Sequence, residues 1–262
     1  MKKFVKTVFL VAVILSTPIG ICRGQQGSTL PAIDPQAEKI MQNLSVQKHK
    51  NIKASYEILD TMDEVLVSGQ KIQYSHVRKL ILNEPNQFWI ESTGDITNTT
   101  IWKDDRTFTL LDRDNNVYGQ TDAPGTIDET MDMMVDNYGV STPLADFLSD
   151  DLFSVLMNNV ETCRYLGLHH VEGKKCHHIA ATQKEIDWQI WVDVGEMPFV
   201  RKIVITYKQQ LESPQYSAVL KTFTKLDQVP ENTFTFNAPE GAKKIPLLPL
   251  EKDTGNASKK LQ

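Results

Sequence analysis

The sequence predicts a mainly β (α+β) fold: one strongly curved antiparallel sheet of about a dozen strands, its concave side covered by helices. Three observations carry this. From Ile52 onward apolar residues recur chiefly at every second position, the period of a half-buried strand. Gly, Asp and Asn residues interrupt that pattern at short intervals, as hairpin turns require. Helical spacing is confined to the start and to one central interlude, so the strand–helix alternation of a parallel sheet is missing.

The elements follow in order. Asp34-Pro35 opens a helix as N-cap and first residue, and Ala37, Ile40, Met41 and Leu44 mark its apolar stripe. Residues 52–60 and 70–82 read as long strands around a turn near Ser68-Gly69, with shorter strands at 86–93, 99–103, 107–112 and 116–121. Thr126 and Glu129 have capping-box spacing ahead of a helix whose Ile127, Met131, Met134, Val135 and Tyr138 share one face. Two short helices are expected at 143–147 and 151–157. Strands resume at 162–169, 174–182, 186–194, 200–208, 215–224 and 233–237. In the third of these, Ile186, Trp188, Ile190 and Val192 are expected to face inward, which leaves Trp191 on the other side.

The N-terminus reads as a secretory signal over 1–24. Lys2, Lys3 and Lys6 precede an apolar run at 8–15, and Cys22 and Gly24 are small residues at the expected cleavage positions. The run is far short of the ~20 residues of a membrane-spanning helix. Lipidation of Cys22 is disfavoured by the large Ile21 before it. One domain is expected over 34–246 and a flexible tail over 247–262. Loss of the signal, with four basic and no acidic residues, takes the net charge from −5 to near −9. Phosphate binding needs clustered cations, so this balance excludes nucleic acid as a partner.

Cys163 and Cys176 fall in one predicted hairpin turning at Glu172-Gly173, which pairs His169 with Cys176 and Cys163 with Thr182. The thiols would then lie about 20 Å apart at ~3.3 Å per residue, too far for a disulfide. Two buried free thiols are expected. The same register places His169, Cys176 and His178 on one face, a weak candidate metal site, with His170 and His177 opposite. No nucleophile elbow or zinc-protease motif is present, no cofactor is implied, and a non-enzymatic role is expected.

Glu84-Pro85-Asn86-Gln87-Phe88-Trp89-Ile90, followed by Thr99-Thr100-Ile101-Trp102-Lys103-Asp104-Asp105-Arg106-Thr107-Phe108, resembles the periplasmic lipoprotein-carrier (LolA-like) superfamily. Gly173-Lys174-Lys175-Cys176-His177-His178-Ile179-Ala180, Asp187-Trp188-Gln189-Ile190-Trp191-Val192, residues 198–207, Pro124-Gly125-Thr126-Ile127-Asp128 and Pro143-Leu144-Ala145-Asp146 are similar to a narrower family of predicted periplasmic proteins, a domain of unknown function placed in that superfamily. The resemblance implies an unclosed half-barrel with a helical lid over an apolar cavity, compatible with the eleven to twelve strands read from the residues. Glu84 stands where the carriers have a functional arginine, and Asp104-Asp105-Arg106 replaces their usual turn, so the carriers' own transfer mechanism is not implied.

Phe88, Trp89, Trp102, Met131, Met134, Tyr138 and Phe147 are the candidate cavity-lining residues, methionine being suited to varied apolar ligands. The expected function is that of a periplasmic binding protein holding a lipid, a lipoprotein acyl chain or another amphiphile. The alternative is an envelope interaction or stress-signalling module that docks onto a membrane-anchored protein and transports no ligand.

Overall fold

A computed structural model describes residues 31–47, 52–139, 151–195 and 198–250. The signal segment, Cys22, the short helix expected at 143–147 with Phe147, and residues 251–262 lie outside these.

Eleven of the predicted strands form. β1 (Lys53–Val65), β2 (Lys71–Asn83), β3 (Gln87–Gly94), β4 (Thr99–Lys103), β5 (Thr107–Asp112) and β6 (Val117–Asp122) make one meander. β7 (Thr162–Val171), β8 (Lys174–Thr182), β9 (Ile186–Asp193), β10 (Val200–Tyr207) and β11 (Gln215–Lys225) make a second. An antiparallel pairing of β1 with β11, from Ala54↔Lys225 to Met62↔Tyr216, joins the two into a single sheet. A two-residue β12 (Lys243–Lys244) adds parallel to β6, so the order is β12-β6-β5-β4-β3-β2-β1-β11-β10-β9-β8-β7. The sheet is therefore open and mixed, with β12 the departure from the expected all-antiparallel pattern.

The sheet bends strongly. Lys221 on β11 pairs with Glu172 in the β7–β8 turn, although β9 and β10 lie between β11 and β8. In a flat sheet three steps of ~4.8 Å would separate β11 from β8 alone.

Two cores form on the helix side. Helix α1 (Pro35–Gln47) and helix α3 (Leu152–Met157) pack on the second meander, with Ala37, Met41 and Leu44 set against Ile179, Trp188 and Ile190. Helix α2 (Ile127–Tyr138) packs on the first through Ile127 and Met134 against Leu80, Leu82, Phe88 and Phe108. Tyr56 touches both cores. The capping box of Thr126 and Glu129 forms as predicted, but Val135 is exposed because it sits at the edge of the stripe. Buried Lys103 seats the start of α2: its ammonium donates to the carbonyls of Asn86, Asp104 and Gly125 at 3.1, 2.6 and 3.2 Å.

Two sequence expectations need correction. Residues 233–237 form no strand; the turn ends at Phe234 and 235–237 are irregular, because the segment lies over the face of the sheet and not at its edge. Phe236 instead packs on Trp102 and Tyr118, at 5.1 and 4.9 Å between ring centroids. The first residues of the tail expected over 247–262 are also held: after Ile245, whose N–H donates to the Tyr118 carbonyl at 2.9 Å, the Leu250 N–H donates to the Asn137 carbonyl at 2.7 Å. Leu247 covers Gly119, where an added Cβ would lie 2.4 Å from its Cδ2.

Gly119→Ala should therefore displace Leu247 and free this strap. Amide exchange at Ile245 and Leu250 is expected to accelerate while the strands of the second meander keep their protection.

Candidate ligand-binding site

The predicted lining residues do not gather around one space. Phe88 and Met134 are closed into the α2 core at 1 % exposure each. Met131 and Tyr138 pack around them, and the Tyr138 hydroxyl lies 3.1 Å from Thr121 Oγ1. Neighbouring strand residues point to opposite faces, so Trp89 turns away from Phe88. Trp102 pairs with Trp89 and shares that opposite face, under Phe236.

The apolar depression lies elsewhere, at the end of the sheet where the β1–β2, β3–β4 and β10–β11 turns meet. Its volume is about 610 Å³, within the ~300–1,000 Å³ of small-molecule sites. Met62, Leu66, Val67, Tyr74, Ile96 and Leu211 supply apolar lining. Val67, Ile96 and Leu211 are more than half exposed, so the depression opens to solvent.

Asp63, Glu64, Gln210 and His76 supply its polar lining, and beneath His76 a buried polar network continues. Asp60 is 1 % exposed on the helix side of β1, between Ile58 and Met62. Arg78 donates to it through Nε at 2.7 Å and Nη2 at 3.2 Å, and Nη1 reaches Ser92 Oγ at 3.0 Å. His76 pairs with Asp60 across β1 and β2, with Nδ1 3.6 Å from Oδ2. Its ring lies flush on the backbone at Gly94, where a Cβ would approach Cδ2 to 2.4 Å, so only glycine admits this placement. Burial and the nearby Asp60 carboxylate push the Tyr216 phenol far above its usual range. The sequence held a signal for this group: Asp60, His76 and Arg78 are in phase with the apolar positions of their strands.

A second, more polar depression of about 420 Å³ lies between the sheet and the segment after β11, with Lys53, Asn83, Gln87 and Asp104 on the sheet side.

The histidine hairpin forms nearly as read. His169 faces Cys176, and His169 Nδ1 lies 2.7 Å from His178 Nδ1. A bulge at Leu166 shifts the far end by one residue, so Cys163 pairs with Ala181, not Thr182. His178 stacks on Trp191 at 4.0 Å and meets Gln189 Oε1 at 3.1 Å, while Lys202 lies over the Trp191 ring. This stack accounts for the outward tryptophan. His177 meets the Tyr165 hydroxyl on the other face at 3.0 Å. Both cysteines are free and buried, and burial pushes each thiol up to about 11. Cys176 Sγ approaches Asp193 at 3.6 Å, and among the described residues no group of three or more ligating side chains is placed to hold a metal.

The sheet is open and curved and carries its helices on one face. Residues 37–248 match the family described as "Predicted periplasmic protein (DUF2092)", and the chain belongs to that family. Similar solved structures include a conserved protein from Thermus thermophilus (6 % identity, TM-score 0.47, covering 80 % of this chain and 99 % of that one). LprF from Mycobacterium bovis is 13 % identical, with a TM-score of 0.47 over 75 % of this chain and 97 % of its own. A LolA superfamily protein from Nitrosomonas europaea is 9 % identical, with a TM-score of 0.35 over 76 % and 97 %. At such identities the likeness concerns fold alone. No curated protein matches the sequence.

Two expectations follow. Arg78→Met leaves Asp60 buried without its cation and should cost about 3 kcal/mol in urea unfolding. Like His177, which burial shifts in the same direction, His178 is a pH-sensitive group. Burial holds it below its ordinary value of 6.5, with His169 and Lys202 acting in the same direction against Gln189. The unfolded chain therefore binds the proton more readily, and stability present above pH 6.5 is lost as pH falls towards the lower folded value. The urea midpoint should drop across that window, and His178→Gln should flatten the drop.

Proposed function

We propose that the chain is a periplasmic binding protein that holds the apolar part of a lipid, a lipoprotein acyl chain or another amphiphile in the depression at the turn end of the sheet. The observation that carries this reading is the convergence of Met62 on β1 with Val67, Ile96 and Leu211 from three separate turns, each at least 43 % exposed, around a volume of about 610 Å³. Exposed apolar groups that converge in this way mark binding surfaces. Burying an acyl chain there gains ~25 cal/mol per Å² without any special polar motif. The family's description as predicted periplasmic, together with the secretory reading of residues 1–24, supports export into the compartment where such ligands occur.

Native mass spectrometry of protein released from the periplasm should show a bound amphiphile. Val67→Asp with Leu211→Asp should weaken binding of N-phenyl-1-naphthylamine about tenfold or more, because a carboxylate must then be desolvated against the ligand. The urea midpoint should stay unchanged, both sites being exposed. Unaltered dye binding would remove the depression from the proposal. Recovery of a stoichiometric protein partner without any amphiphile would favour the interaction module instead.

A further inference from the structure

The fixed charges that line the depression are of one sign. Asp63 and Glu64 line it, and no Lys or Arg does among the described residues. Asp63 is fixed by the Gln73 side-chain amide and the Gln215 N–H, both at 3.1 Å. Asp95, next to Ile96, accepts from the Ser75 N–H at 2.7 Å and the Ser75 hydroxyl at 3.1 Å. Lys71 of the same hairpin sends its ammonium to the Ser213 carbonyl at 3.4 Å.

His76 adds direction to this field. The Asp60 carboxylate facing Nδ1 favours the tautomer with its proton there, because the partner of one ring nitrogen sets the state of the other. In the neutral ring with that proton on Nδ1, Nε2 is a lone-pair acceptor, and no protein donor meets it among the described residues. His76 is among the residues that line the depression. A fatty-acid carboxylate or a phosphate would meet like charge from Asp63 and Glu64 and an acceptor where it needs a donor. A hydroxyl or an ammonium would meet complementary groups in both places.

We propose that the depression selects amphiphiles whose head group donates hydrogen bonds and carries no negative charge. This rests on the reading of the depression as an amphiphile site. It converts a general apolar surface into one that distinguishes ligands by their heads.

The test is displacement of N-phenyl-1-naphthylamine from the full chain by decylamine, decanol and decanoate at neutral pH. Decylamine is expected to compete at concentrations about tenfold below decanoate. Glu64→Gln, at an exposed position that leaves folding intact, should improve decanoate and not decanol. His76→Phe should weaken decanol and decylamine and spare decanoate. Decanoate competing as well as decylamine, or Glu64→Gln leaving decanoate unchanged, overturns the selectivity while the amphiphile site stands. Failure of all three ligands to compete overturns the site itself.

Discussion

The pairing of β1 with β11 is the constraint on which the rest of the molecule depends. Each meander can form from local hairpins, but their union requires strands separated by about 150 residues in sequence to align antiparallel over most of their length. The depression inherits that requirement. Its walls come from the β1–β2 and β3–β4 turns of the first meander and the β10–β11 turn of the second. Tyr56 reinforces the seam, packing into both cores while its ring meets Phe223 and Phe199 at 5.2 and 6.3 Å. Neither meander alone holds the site.

Near that seam sits the polar group of Asp60, Arg78, Ser92 and His76. A purely apolar floor would be simpler to build, because removing a carboxylate from water costs several kcal/mol unless partners replace the solvent. Here the two Asp60 oxygens receive two guanidinium bonds, and the third Arg78 donor goes to Ser92, so the Asp60–Arg78–Ser92 network is well satisfied. His76 Nδ1 is left without a hydrogen bond of normal length among the described residues. The polarity is thereby presented at one edge, towards the depression.

How much of this was legible in the sequence varies with the physical cause. Local period and capping identified eleven strands and the three described helices, because alternation and a Thr126–Glu129 box are properties of short segments. Residues 233–237 failed that reasoning: Thr-Phe-Thr-Phe alternates well, yet the segment lies over the face of the sheet and not at its edge, and that is a fact about the whole sheet. The one-residue slip at Cys163 came from the bulge at Leu166, whose one mark in the sequence is Gly167, a glycine inside the strand at a φ of +99°. Phe88, Trp89 and Trp102 were legible as aromatic strand residues, but their face depended on register, and register separates Phe88 from the two tryptophans. Exposed turn residues such as Val67 and Leu211 carried no periodic signal at all. Asp60, His76 and Arg78 did, as charges on apolar phase.

The placement of the site follows from how the helix side is filled. Beneath α2, Phe88, Phe108 and Met134 occupy the space with the protein's own atoms, and α1 and α3 do the same over β7 to β10. Close-packed interiors tolerate little extra volume, so a ligand cannot enter there without displacing well-packed side chains. At the turn end no helix among the described residues covers the sheet, and apolar side chains on three turns remain open to water. The surface energy left unsatisfied by folding is concentrated where the chain lacks atoms of its own to cover it, and a flexible apolar ligand is suited to that gap.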